Sequence, residues 1–287
     1  DNGNLLIKND KQIKVKSEFS TRINLDESNI KNYSPLLNGK NFINNKTKLK
    51  ATLENFIDIT FDKTFKVIDY VYTNKGKIEN SLFYLDKSFA SEFLEKEIKF
   101  INFIDTNIQS RYASDDKNSF FVSGKYSIND DNFKEYSLKN NFNKKAQSIN
   151  LNLKIDQILK LNFINYKKDF GKIANISLNF EVKKDKINVH KFIFKEGKNS
   201  ISVEKLKIKK QKLVSLENIK VKTFNENYVN NDFSLKFGNN IKVIGLNYDA
   251  KNFNKFLNQK SNNDIFKNIT KDIEININNI DTPLSEK

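Results

Sequence analysis

Few residues in this chain could carry chemistry. Its 287 residues include no Cys, no Trp and a single His, His190. Cysteine nucleophiles, zinc sites and Ser-His-Asp relays need thiolate or imidazole groups that are absent or solitary here. His190 lies in KINVHKFIF without a second His or a Ser-containing elbow, and reads as a partly exposed strand histidine. The adjacent acids Asp115-Asp116 and Asp130-Asp131 read as turn formers rather than as acid/base dyads. Glycosylation-like triplets at Asn45, Asn175 and Asn268 are what 46 Asn residues produce by chance. No catalytic, metal or cofactor set can be nominated, so the sequence predicts a protein that is not an enzyme and holds no cofactor.

The formal charge of +15 invites a nucleic-acid reading, and its origin decides against one. Only Arg22 and Arg111 of the 50 basic residues are Arg, the residue whose planar fork suits phosphates and bases. Lys, Asn and Ile are the default products of an AT-rich coding sequence, so the basicity is assigned to base composition. The aromatic residues, 25 Phe and 10 Tyr, mostly fall in register with aliphatics, where they cannot act as base-stacking platforms.

The chain starts at Asp1 and has no Met, which marks it as an expected piece of a longer product. It shows no leader and no run of 18 apolar residues. Any membrane anchor is therefore expected outside the piece.

The elements that must position any site are read from alternation, which puts one side of a strand against apolar surroundings and the other in water. The pattern recurs at Ile13 and Val15; at Leu49, Ala51 and Leu53; at Ile149, Leu151, Leu153 and Ile155; and at Ile176, Leu178, Phe180 and Val182. It continues at Phe233, Leu235 and Phe237 and at Ile273, Ile275 and Ile277. Turn-prone pairs part the segments: Lys75-Gly76, Asn129-Asp130, Glu196-Gly197 and Gly238-Asn239. The reading is mainly β: a long, curved antiparallel meander sheet forming an open, taco-like groove, with two or three short amphipathic helices. One helix is predicted from Asp86 through Phe89, Ala90, Phe93 and Leu94. Another is predicted from an Asp249 cap through Ala250, Phe253, Phe256 and Leu257. With 8 Gly and 2 Pro there is no clean boundary, so residues 1–287 are expected to form a single segment, with a possible sub-boundary near 258–271.

The order of features from Lys172 onward resembles the AsmA-like superfamily of Gram-negative envelope proteins, in particular its large YhdP-type members. Three stretches carry the resemblance. YKKDFGKIANISLNFEVKKDKINVHKFIFKEGKNSISVEKLKIKK is similar to the family's strand, lysine-bearing turn and strand unit. FSLKFGNNIKVIGLNYDAKNFNKFL resembles its passage from a strand through a Gly, here Gly245, to an Asp, here Asp249, that starts a short helix. KDIEININNIDTPLSEK resembles the strand that opens a following unit.

The resemblance implies a segment of a bridge-like lipid transporter in the periplasm, its parent chain anchored in the inner membrane. Phospholipid acyl chains would travel along an apolar groove between inner and outer membrane, continued by flanking segments of the same chain. Under that expectation the groove wall is Leu151, Leu153, Leu161, Phe163, Ile176, Leu178, Phe180, Phe192, Phe194, Phe233, Leu235 and Phe237. The basic strand EKLKIKKQKL would set Lys205, Lys207 and Lys209 toward anionic headgroups; the same lysines also suit a solvated strand face or an edge guard. Phospholipids are the expected partners, and nucleic acid is not. The alternative reading is a structural or protein-binding β-domain of the envelope with a closed core and no lipid.

Overall fold

The computed structural model describes residues 3–9, 12–29, 46–210, 212–257 and 271–283. Two compact units emerge from the contacts: residues 1–90 with 97–147, and residues 91–96 with 148–287. The stretch 258–270, which holds most of the predicted sub-boundary, and the acceptors Asn45 and Asn268 lie outside the described residues.

Unit 1 is a meander of seven strands: β1 (Gly3–Asn9), β2 (Ile13–Leu25), β3 (Lys48–Phe61), β4 (Val67–Phe89), β5 (Ile98–Ala113), β6 (Asn118–Ile128) and β7 (Lys134–Phe142). Each strand pairs antiparallel with the next in chain order. Short side chains make the reversals. Asp62 Oδ1 accepts the backbone N–H of Thr64 at 2.8 Å and of Lys66 at 3.0 Å, closing the β3–β4 turn. Asn129 holds a left-handed backbone with φ 53° after β6, the conformation that Asn tolerates best after Gly.

Unit 2 contains β8 (Gln147–Ile155), β9 (Leu159–Leu161), a 3-10 turn (Asn162–Ile164), β10 (Tyr166–Lys168), β11 (Ala174–Lys183), β12 (Lys186–Glu196), β13 (Asn199–Lys209), β14 (Lys212–Asn225), β15 (Tyr228–Phe237) and β16 (Ile241–Asp249). The helix α1 (Phe253–Leu257) and β17 (Ile273–Asp281) complete it. From β11 to β16 the pairing is antiparallel and sequential; β17 then pairs parallel with β16. Strands β9 and β10 leave the main sheet as a separate hairpin. The mainly β antiparallel meander read from the alternation is the fold observed, and the sheet is open, not a closed barrel: among the described strands β1 pairs only with β2, and β17 only with β16.

Two local expectations are corrected. The helix predicted over Asp86 to Leu94 does not form. Strand β4 runs on to Phe89, opposite Ile98, and Tyr84 meets the Phe100 ring at 5.1 Å. Leu94 forms a bridge with Leu159, and Phe93 O accepts the Lys160 N–H at 3.0 Å. The three and four residue spacing is thus overridden by ladder partners supplied from distant sequence, which a local helix could not match. The second predicted helix is present as the short α1. Asp249 Oδ1 accepts the Lys251 N–H at 3.2 Å in the turn leading into it.

Lys75-Gly76 is not a turn but the middle of β4. Glycine is needed there because the strands approach closely: an added Cβ would lie 2.1 Å from Thr52 O and 2.9 Å from Leu53 Cα. Gly76→Ala must therefore push β3 and β4 apart, and it is expected to cost about 3 kcal/mol. A urea titration followed by tyrosine fluorescence measures this; an unchanged midpoint would show that the backbone accommodates the methyl freely.

Candidate functional site

In unit 1 the ladder registers assign every side chain to one of two faces. Ile57 of β3 stands beside Tyr72 of β4 and Tyr112 of β5; two levels along, Leu53, Gly76, Ile108 and Val122 stand side by side. This face is apolar and half-buried across β2 to β7, while the alternating residues Lys14, Lys16, Glu18 and Arg22 are exposed. Cross-strand ion pairs lace the charged face, among them Lys16–Asp58 at 2.9 Å and Lys75–Glu54 at 3.1 Å. Among the described residues every element of unit 1 belongs to this one sheet, and the fully buried apolar side chains of the unit are only Ala51, Ala113 and Val122. Among the described residues, unit 1 therefore presents an apolar surface with no second layer over it. A recess of about 1100 Å³ lies on the charged face instead, between the rows led by Glu18 and Ser20.

Unit 2 treats its apolar face differently. The segment from β9 to β10 folds over one end of the sheet and seals a core of Ile155, Ile164, Tyr166, Ala174, Phe194 and Ile201, with Val221 beneath. The cover is latched by buried polar groups. Asn231 donates to Ile164 O and to Thr223 Oγ1, both at 2.8 Å, and accepts the Asp249 N–H at 2.9 Å. Tyr248 OH donates to Phe163 O at 2.8 Å, and burial pushes its phenol up to about 12. Lys168, almost wholly buried, donates to Gln157 O at 2.8 Å and Asp169 O at 3.1 Å; desolvation lowers its pKa.

The twelve wall residues expected from the sequence divide between these environments. Phe194 sits inside the sealed core, and Leu153, Leu161, Phe163, Ile176, Phe192 and Phe233 pack against it. Leu151, Leu178, Phe180, Leu235 and Phe237 are half-buried and lie outside that core. Phe180 faces Val189 across the ladder, and Leu235 faces Ile219 and Val243. The sequence-based candidates all came from residue 151 onward and so missed the apolar face of unit 1, over which no described element lies. Its alternation at Ile13, Val15, Leu49 and Leu53 was the available signal.

Lys205, Lys207 and Lys209 are exposed, on the opposite side from half-buried Leu206 and Ile208. Lys205 Nζ is 2.6 Å from Glu217 Oε2, while Lys209 stands level with Lys186 and Lys212. His190 is exposed on β12. Asp115 and Asp116 form the β5–β6 turn, where the Arg111 guanidinium grips Asp115 through two 3.0 Å hydrogen bonds and holds its carboxyl down at about 2.

Comparison with family models, curated proteins and solved structures finds no match to this chain.

Proposed function

We propose that this chain holds lipid acyl chains against the uncovered apolar face of its sheet. In this reading it is a segment of a periplasmic, bridge-like transporter that moves phospholipid between the inner and outer membranes. The parent chain is anchored in the inner membrane and flanking segments prolong the apolar path. The observation that carries the reading is the single-layered face of unit 1, whose aliphatic and aromatic rows have no protein layer over them among the described residues. The mechanism needs no reactive group and no cofactor. Exposing acyl chains to water costs about 0.8 kcal/mol per methylene, so a continuous apolar surface lowers the barrier to crossing an aqueous gap. Lys207 and Lys209, beside Lys186 and Lys212, would attract anionic headgroups by roughly 1 kcal/mol each at low salt.

The sealed core of unit 2 around Ile164 and Phe194 favours the second reading for that part of the chain: a structural β-layer that holds no lipid. Native mass spectrometry separates the two. The purified chain is expected to carry phospholipid-sized adducts that disappear on unfolding. A chain that stays bare after incubation with phospholipid vesicles would leave only the structural reading.

A further inference from the structure

One level of the unit 1 apolar face is not apolar. The registers align Phe19, Asn55, Asn74, Ser110, Phe120 and Asn140 in a row running straight across β2 to β7. The levels on either side carry Ile57, Tyr72 and Tyr112, and Leu53, Ile108 and Val122. The half of the row nearest β2 is internally bonded. Asn55 Nδ2 donates to Thr21 Oγ1 at 2.9 Å, Tyr72 OH donates to Asn55 Oδ1 at 2.9 Å, and Asn74 Nδ2 donates to Tyr72 OH at 3.3 Å.

That chain of donors engages the Asn74 amide through Nδ2 and leaves its Oδ1 outside the chain. There the bonding stops. Asn74 Oδ1, Ser110 Oγ and Asn140 Oδ1 are shielded from solvent and have no hydrogen-bond partner, and Ser110 as a whole is only 7% exposed. Three such atoms gather in this one row, whereas the unmet Ser81 Oγ stands singly at another level of the face; a row of buried polar groups left unmet is costly and calls for a partner. Two of them are carbonyl oxygens and the third is a hydroxyl that can accept, so the missing partner must supply donors.

We propose that this row is the station for the hydroxyl-bearing part of an amphiphile, such as a glycerol that keeps free hydroxyls in a monoacylglycerol or a glycerol headgroup, with its hydrocarbon lying on the apolar levels beside it. The proposal rests on the acyl-chain reading above and names the chemistry that the face selects. Tyr112, stacked on Tyr72 at 6.3 Å and itself exposed, borders the row one level away.

The test uses two esters of the same oleoyl chain, monoolein with two free hydroxyls and methyl oleate with none. Each displaces 1-anilinonaphthalene-8-sulfonate from the delipidated chain. Monoolein is expected to displace the dye about tenfold more tightly than methyl oleate. Ser110→Ala, and separately Asn140→Leu, should erase most of that preference while leaving methyl oleate unchanged. Ser110→Ala removes a single atom, so it reports even where the larger substitution unfolds. Equal binding of both esters by the native chain overturns the polar station and leaves the acyl-chain reading standing. Binding of neither ester overturns both.

Discussion

Replacing Asn231 with leucine is expected to lower the stability of unit 2 by about 4 kcal/mol. Asn231 is fully buried on β15, and its amide is saturated by three partners from three separate segments: Ile164 O, Thr223 Oγ1 and the Asp249 N–H. Leucine has a similar volume, so the loss would not come from a cavity. It would come from leaving a carbonyl and an N–H buried without partners, each worth roughly 1–3 kcal/mol. Because Asn231 ties the cover segment to the sheet, the damage should concentrate there. Hydrogen exchange over residues 159–168 is expected to accelerate, and the effect of Tyr248→Phe, which loses the bond to Phe163 O, should not add to it. A urea midpoint shifted by less than 1 kcal/mol equivalent would show that the cover is held by apolar packing alone.

The second large effect is on ligand binding. The double variant Ile57→Asp, Ile108→Asp places two carboxylates on the apolar face of unit 1, on β3 and β5. Acyl chains laid over them would have to desolvate both charges, which is prohibitive unless the carboxylates protonate. Uptake of phospholipid from vesicles is therefore expected to fall at least tenfold. Both positions are only half-buried, so the folded chain should lose just about 1–2 kcal/mol. A control at Thr73→Asp on the charged face should leave uptake intact. The combination discriminates: a closed core would answer the same pair of charges by unfolding, whereas undiminished uptake by a folded variant would remove this face from the path. Leu178→Asp with Phe180→Asp poses the same question for the part of unit 2 outside the sealed core.

Much of the fold was legible because a strand's period of two is a local property. Ile13 with Val15, Leu49 with Leu53, and Ile273 with Ile275 each declare a strand and its apolar side without reference to any partner. The turn pairs Glu196-Gly197 and Gly238-Asn239 were readable for the same reason, since backbone conformation there depends on the residues themselves. The mistaken helix at Asp86 to Leu94 and the mistaken turn at Gly76 share one cause. In both, residues outside the segment, Ile98 and the distant Leu159 in the first case and Thr52 in the second, decide what the local pattern cannot.

The site was less legible than the fold. Alternation says which side of a strand is apolar but not what stands over it. Nothing in Leu153 or Phe194 as sequence distinguishes them from Leu178 or Phe180, yet the first pair belongs to a sealed core and the second pair lies outside it. The difference is made by the hairpin of β9 and β10, whose short strands carry no long-range signal of their own. The polar row of unit 1 was equally hidden: Asn55, Asn74, Ser110 and Asn140 are scattered over 86 residues and become neighbours only through register.

By itself the sequence determined the strand character of most segments, the apolar side of each and the lack of cysteine and of a second histidine, because these follow from residue type and spacing along one segment. Only the tertiary structure decided which apolar faces are covered and which polar residues line up, because cover and alignment are relations between segments joined by hydrogen bonds across the sheet.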